Sequence, residues 1–193
     1  MYQKRNKELE IIALYKGNYK SRFYLRQISL LSELPLKTTQ NVLTNLEKNK
    51  ILKSEIEGKN KYFSLNLDNI KTKSLILQSE TYKTDLFLDN YPHFKIFMKE
   101  LDTNTPIIIF GSFAKIKAGK NSDVDMLIIS EKEKLPFHLL PYKIHNINLT
   151  EDSFISSLKN NESLIREIKE NHIILNNHSF LINLMWSFYG KQN

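Results

Sequence analysis

Asp123 and Asp125, separated by one apolar residue at the head of an apolar run, are the side chains of this sequence with the clearest chemical use. If the run Met126 to Ile129 continues as a strand, residues two apart share a face, so both carboxylates stand side by side while Val124 turns into the core. Two carboxylates on one edge attract a hard cation. Mg²⁺ takes a few carboxylate oxygens and completes its shell with water and substrate phosphates. Upstream, Ile107 to Phe110 runs straight into Gly111-Ser112, and a glycine there lets a phosphate chain approach backbone that any Cβ would screen. The spacing predicts strand, turn, short helix and strand over 106–130, arranged to hold a metal-bound nucleoside triphosphate.

Gly111-Ser112, a spacer, and then Asp123-Val124-Asp125 inside a second strand resemble the signature of the polymerase-beta-type nucleotidyltransferase superfamily, especially its minimal members. The resemblance covers about the last half of the chain. It implies that Asp123 and Asp125 are catalytic and hold Mg²⁺ or Mn²⁺. It further implies that Gly111 and Ser112 bind the β,γ-phosphates, with Lys115, Lys117 and Lys120 adding positive charge. The implied reaction moves a nucleoside monophosphate, AMP from ATP in the first instance, to a hydroxyl acceptor, a protein hydroxyl being one acceptor class.

The family usually places a third carboxylate on the next strand, and Lys143 to Leu149 has none. Asn146 and Asn148 share one face of that strand and His145 points the other way; an amide forms hydrogen bonds but takes up no proton at neutral pH. Glu151 or Asp152, just beyond the strand, is the remaining acid that could reach in. The departure opens an alternative, a transcriptional regulator or antitoxin-like protein with a catalytically weak nucleotide-binding domain.

Charge points to a second activity. Residues 1–65 carry 13 Lys and Arg against 6 Glu, whereas the remainder carries 15 basic against 15 acidic residues, so the whole +7 lies in the first third. A basic surface on one unit is the footprint of a polyanion binder. Apolar spacing over Lys4 to Tyr15, Tyr24 to Leu31 and Lys37 to Lys50 predicts three helices, the second ended by Ser32-Glu33-Leu34-Pro35. Ile51 to Ile56 and Lys61 to Leu65 then read as a hairpin about Glu57-Gly58-Lys59-Asn60. This order resembles the winged helix-turn-helix family of DNA-binding domains over residues 1–66. The resemblance implies base or phosphate contacts from Thr38, Thr39, Gln40 and Asn41, and phosphate contacts from Arg22, Arg26, Lys37, Lys59 and Lys61.

The expected architecture is therefore α+β: a winged helix-turn-helix domain at 1–66, a helical linker or dimerisation segment at 67–100, and a small mixed-sheet nucleotidyltransferase domain at 101–193. Cysteine is absent, which excludes disulfides and Cys-based zinc sites. No apolar run approaches the roughly 20 residues a membrane helix needs, and MYQKRNKELE lacks a signal-peptide core. The expectation is a cytoplasmic protein with DNA and a nucleoside triphosphate as partners, no membrane association, and a homodimer in solution.

Overall fold

The computed structural model describes residues 5–119 and 121–190. Contacts divide the chain into two compact units, one made of the described residues up to Ser79 and from Ile182 onward, the other of Glu80–Leu181.

The first unit begins with α1 (Lys7–Ile12), capped by the Asn6 side chain accepting from the Leu9 amide. A short strand, β1 (Phe23–Tyr24), leads into α2 (Leu25–Ser32) and α3 (Leu36–Lys48). Glu33 closes α2 in the left-handed conformation, and Pro35, with its fixed φ, sits just before α3. The strands β2 (Leu52–Glu57) and β3 (Asn60–Leu65) form an antiparallel hairpin whose turn uses Gly58 at φ +59°. β1 pairs with the far side of β3, giving the order β1-β3-β2. Ile11, Ile12, Ile28, Leu43, Leu46 and Leu65 are buried, and the buried Tyr15 hydroxyl donates to the Phe63 carbonyl at 3.1 Å.

α4 (Ile70–Asn90) is continuous over 21 residues and contributes to both units, with Thr72 and Ile76 buried in its first half and Thr84 and Phe87 in its second.

The second unit continues with α5 (His93–Lys99), β4 (Ile107–Phe110), α6 (Gly111–Ala114), β5 (Val124–Ile129), β6 (Ile144–Leu149), α7 (Glu151–Asn160), α8 (Ser163–Glu170) and β7 (Ile173–Asn176). α9 (His178–Gly190) closes the described chain, with its later residues in the first unit. The sheet order is β6-β5-β4-β7, with β5 and β6 parallel and the other pairs antiparallel. Ile107 to Phe110 and Met126 to Ile129 are all buried, which explains unbroken apolar runs where a half-exposed sheet would alternate. One face packs Ile107, Ile109, Val124, Met126 and Ile128 against Phe87, Phe94, Phe97 and Phe113. Thr150 caps α7 by accepting from the Ser153 amide at 3.0 Å.

Candidate active site

The site lies where β4 ends and β5 begins. Phe110 pairs with Asp125, so the chain leaves β4 beside the carboxylate and turns at once into α6. Gly111 makes that turn at φ +66°, and a Cβ built on it would stand 2.4 Å from Asp125 Oδ2. Glycine is required there twice, by conformation and by the carboxylate packed on its Cα. Phe113, from the same short helix, is 1% exposed and meets the rings of Tyr91 and Tyr142 at 4.9 Å each, which fixes Ser112 at the end of β4.

Asp123 and Asp125 are partly exposed, at 41% and 31% of the side chain, with Val124 fully buried between them. The alternation read from the sequence is the alternation present. The third strand differs from expectation. β6 runs parallel to β5 in the register Val124↔Ile144 and Asp125↔His145. That register sets Lys143 and His145, rather than Asn146 and Asn148, beside the acidic pair. Lys143 Nζ donates to Asp123 Oδ2 at 2.9 Å, and His145 Nδ1 lies 3.2 Å from Asp125 Oδ1. The Asp123 carboxylate holds the Lys143 ammonium above its ordinary pKa, chiefly through this hydrogen bond. Asn146 bonds instead to Asn148, and Asn148 to the Ser130 carbonyl.

Glu151 and Asp152 do not supply the missing acid. Leu149 stands level with Ile129, at the far end of the parallel pair. At ~3.3 Å per residue this is about 13 Å along the sheet from Asp125, and both acids come after it as exposed residues in the first turn of α7. Because β6 is parallel to β5, the chain that leaves it is carried away from the site. Lys143, missed in the sequence reading, was detectable only through strand register.

Of the proposed nucleotide contacts, Gly111 and Ser112 are beside the acidic pair, and Lys115 and Lys117 are exposed just after α6. Lys120 lies outside the described residues. The turn is tied back by the Lys117 amide donating to the Ser112 carbonyl at 3.1 Å. Among the described residues no three His, Cys, Asp or Glu side chains group closely enough to hold a metal ion by themselves. Two adjacent, partly exposed carboxylates do fit one Mg²⁺ that draws its other ligands from substrate and water, while the space beside the Gly111 Cα, expected to admit phosphate, is taken by the Asp125 carboxylate.

The proposed DNA contacts divide in the structure. Arg26, Lys37, Gln40, Asn41 and Lys59 are exposed and Thr38 is partly so. Thr39 is wholly buried, its hydroxyl turned to the carbonyls of Leu34 and Pro35, and so is removed from the contact set. Arg22 pairs with Glu55 and Glu57, and Lys61 with Glu47 at 2.8 Å, so these two cations already have carboxylate partners.

Residues 95–180 match the family described as Polymerase beta, Nucleotidyltransferase. The match supports the polymerase-beta-type superfamily for this segment and nucleotidyl transfer as its general class of chemistry. It runs from α5 to the start of α9 and contains every element of the site. No curated protein and no solved structure matches the chain. No helix among the described residues is long and apolar enough to cross a membrane.

Proposed function

We propose that this protein is a DNA-binding nucleotidyltransferase that moves a nucleoside monophosphate, AMP from ATP in the first instance, to a hydroxyl acceptor such as a protein side chain. The observation that carries the enzymatic half is the Asp125 carboxylate packed on the Cα of Gly111, with Asp123 beside it, inside a segment that matches a nucleotidyltransferase family. Asp123 and Asp125 would hold Mg²⁺ or Mn²⁺, and the bound ion supplies positive charge against the departing pyrophosphate. Gly111 lets the Asp125 carboxylate lie against its Cα, and Ser112, half-buried next to it, offers a hydroxyl to the phosphates. Lys115 and Lys117, exposed just after α6, would add positive charge for the phosphates. In the transfer the acceptor oxygen bonds to the α-phosphorus, the bond from that phosphorus to the bridging oxygen breaks, pyrophosphate leaves, and the hydroxyl proton passes to water.

The DNA-binding half rests on the order α1, β1, α2, α3, β2, β3 and on the exposed polar and basic residues of α3 and the hairpin tip. That order is what a winged helix-turn-helix would have, with α3 as the reading helix. Arg26, Lys37, Thr38, Gln40, Asn41 and Lys59 are its contact residues.

Incubation with α-labelled ATP, Mg²⁺ and protein or small-molecule acceptors tests the enzymatic half. Label should pass to an acceptor and fall at least a hundredfold in Asp123→Ala and Asp125→Ala; transfer that persists in both variants refutes the assigned roles. A second reading, a regulator whose nucleotide domain senses rather than transfers, is favoured by one observation: Lys143 and His145 occupy the edge where the family usually has an acid. It requires ATP to bind and alter DNA affinity with no product formed.

A further inference from the structure

We propose that this site works with a single divalent ion, and that the ammonium of Lys143 supplies the second positive charge by moving from Asp123 onto the phosphates of the bound nucleotide. The inference rests on the nucleotidyltransferase reading and adds the number of cations and the identity of one of them.

It starts from charge. The third acid usual in the family would add a negative charge to hold a second ion, and the β6 edge offers a cation instead. Against the three acids usual in the family, Asp123, Asp125 and Lys143 leave one formal negative charge on the protein side, two fewer with which to hold a second ion. Glu151 and Asp152 do not change that count, since they lie beyond the far end of the parallel pair.

Geometry then gives Lys143 somewhere to go. Its side chain is 81% exposed and its ammonium sits on Asp123 Oδ2, one of the oxygens a metal would claim. An ion arriving there repels the ammonium, since both carry positive charge and would share the same carboxylate oxygen. A lysine ammonium is a compact charge on a flexible stem, suited to follow a phosphate. In the nucleotide-free protein Lys143 stands in for the metal; with nucleotide present it serves the phosphates.

The test reads binding. Mn²⁺ is titrated by electron paramagnetic resonance and calorimetry, alone and with α,β-methylene-ATP, into the full chain and into Lys143→Ala and Lys143→Asp, with Asp123→Asn subtracted for ions bound elsewhere. The wild-type chain should take one Mn²⁺ with the analogue. Lys143→Ala should bind Mn²⁺ alone several-fold tighter, because Asp123 has lost its competitor, and bind the Mn²⁺–analogue at least tenfold more weakly. A merely structural lysine would not move the two affinities in opposite directions. Lys143→Asp should take a second Mn²⁺. Two ions in the wild-type chain, or unchanged analogue affinity in Lys143→Ala, overturns the proposal while leaving the nucleotidyltransferase reading intact. A wild-type chain that binds neither Mn²⁺ nor the analogue removes both.

Discussion

A single hydrogen atom on Gly111 is the narrowest requirement in the site. With φ +66° and Asp125 Oδ2 2.4 Å from any added Cβ, Gly111→Ala must both strain the turn and displace the carboxylate. A non-glycine residue held in this conformation costs about 1–2 kcal/mol, and the movement of Asp125 adds to it. Binding of metal-nucleotide, measured by calorimetry, should fall at least tenfold while the melting temperature drops by several degrees. A variant that melts lower yet binds normally would show that Asp125 and Gly111 act separately. The placement of Asp123 and Asp125 either side of buried Val124, next to Gly111 and Ser112 at the end of β4, was legible in the sequence because it depends on i, i+2 alternation and on a glycine at a strand end, both local properties. Thr39 was misread because its helical position fixes a face only once the packing of α2 on α3 is known. Its hydroxyl caps the turn between them.

At the scale of elements, the sequence conveyed well whatever formed within one stretch of chain. The hairpin at Gly58, α7 with its Thr150 cap, and the apolar strands β4 and β5 lie close to where periodicity put them. β1 escaped notice because two residues carry no period, and its identity comes from pairing with β3, some 40 residues away. The register of β6 on β5 was equally invisible, and it decided which side chains flank the acids. Non-local contacts also close the second unit behind the site. Thr84 on α4 donates to the Ile174 carbonyl of β7 at 2.7 Å and stands 3.0 Å from His178 Nε2 at the start of α9, while buried His172 and Glu80 meet at 3.2 Å nearby. Burial lowers the His178 pKa from its ordinary value of 6.5, opposed by the charges of Glu80 and Asp85 and assisted by His172. The unfolded chain therefore takes up this proton first as pH falls. The stability it confers is whole above about pH 6.5 and declines below, by at most about 1.4 kcal/mol per pH unit. Urea midpoints at about pH 7.5 and 5.5 should differ less in His178→Gln than in the parent. An equal loss in both would assign the acid sensitivity to other groups. Phe113 is the corresponding anchor on the α6 side. Truncation to alanine empties a pocket among Tyr91, Phe94 and Tyr142 and should cost about 3–5 kcal/mol, read as a shift in the urea midpoint.

For the whole molecule, the division into units sharpens the charge asymmetry that the first third of the sequence already displayed. The unit formed by the chain up to Ser79 and from Ile182 contains 16 Lys and Arg against 7 Asp and Glu, while Glu80–Leu181 contains 12 against 14. The values are +9 and −2, so attraction for a polyanion belongs to one unit and the two-carboxylate site to the other. Much of the positive unit's acid is already committed, Glu55 and Glu57 to Arg22, Glu47 to Lys61, and Glu10 to Arg5, whereas Arg26, Lys37 and Lys59 remain exposed. If these three meet phosphates, each neutralised charge releases bound counterion, and the slope of log affinity against log salt records the number of contacts. Replacing Arg26, Lys37 or Lys59 by alanine should weaken duplex DNA binding at all sequences alike and shallow that slope by about 1 per residue. Arg22→Ala and Lys61→Ala should leave the slope nearly unchanged, since the cations lost there were opposed by carboxylates in the free protein. Fluorescence anisotropy of a labelled duplex across a salt series measures both, and a slope that responds equally to all five substitutions would mean that the internal ion pairs break on DNA and that the hairpin surface reorganises to bind.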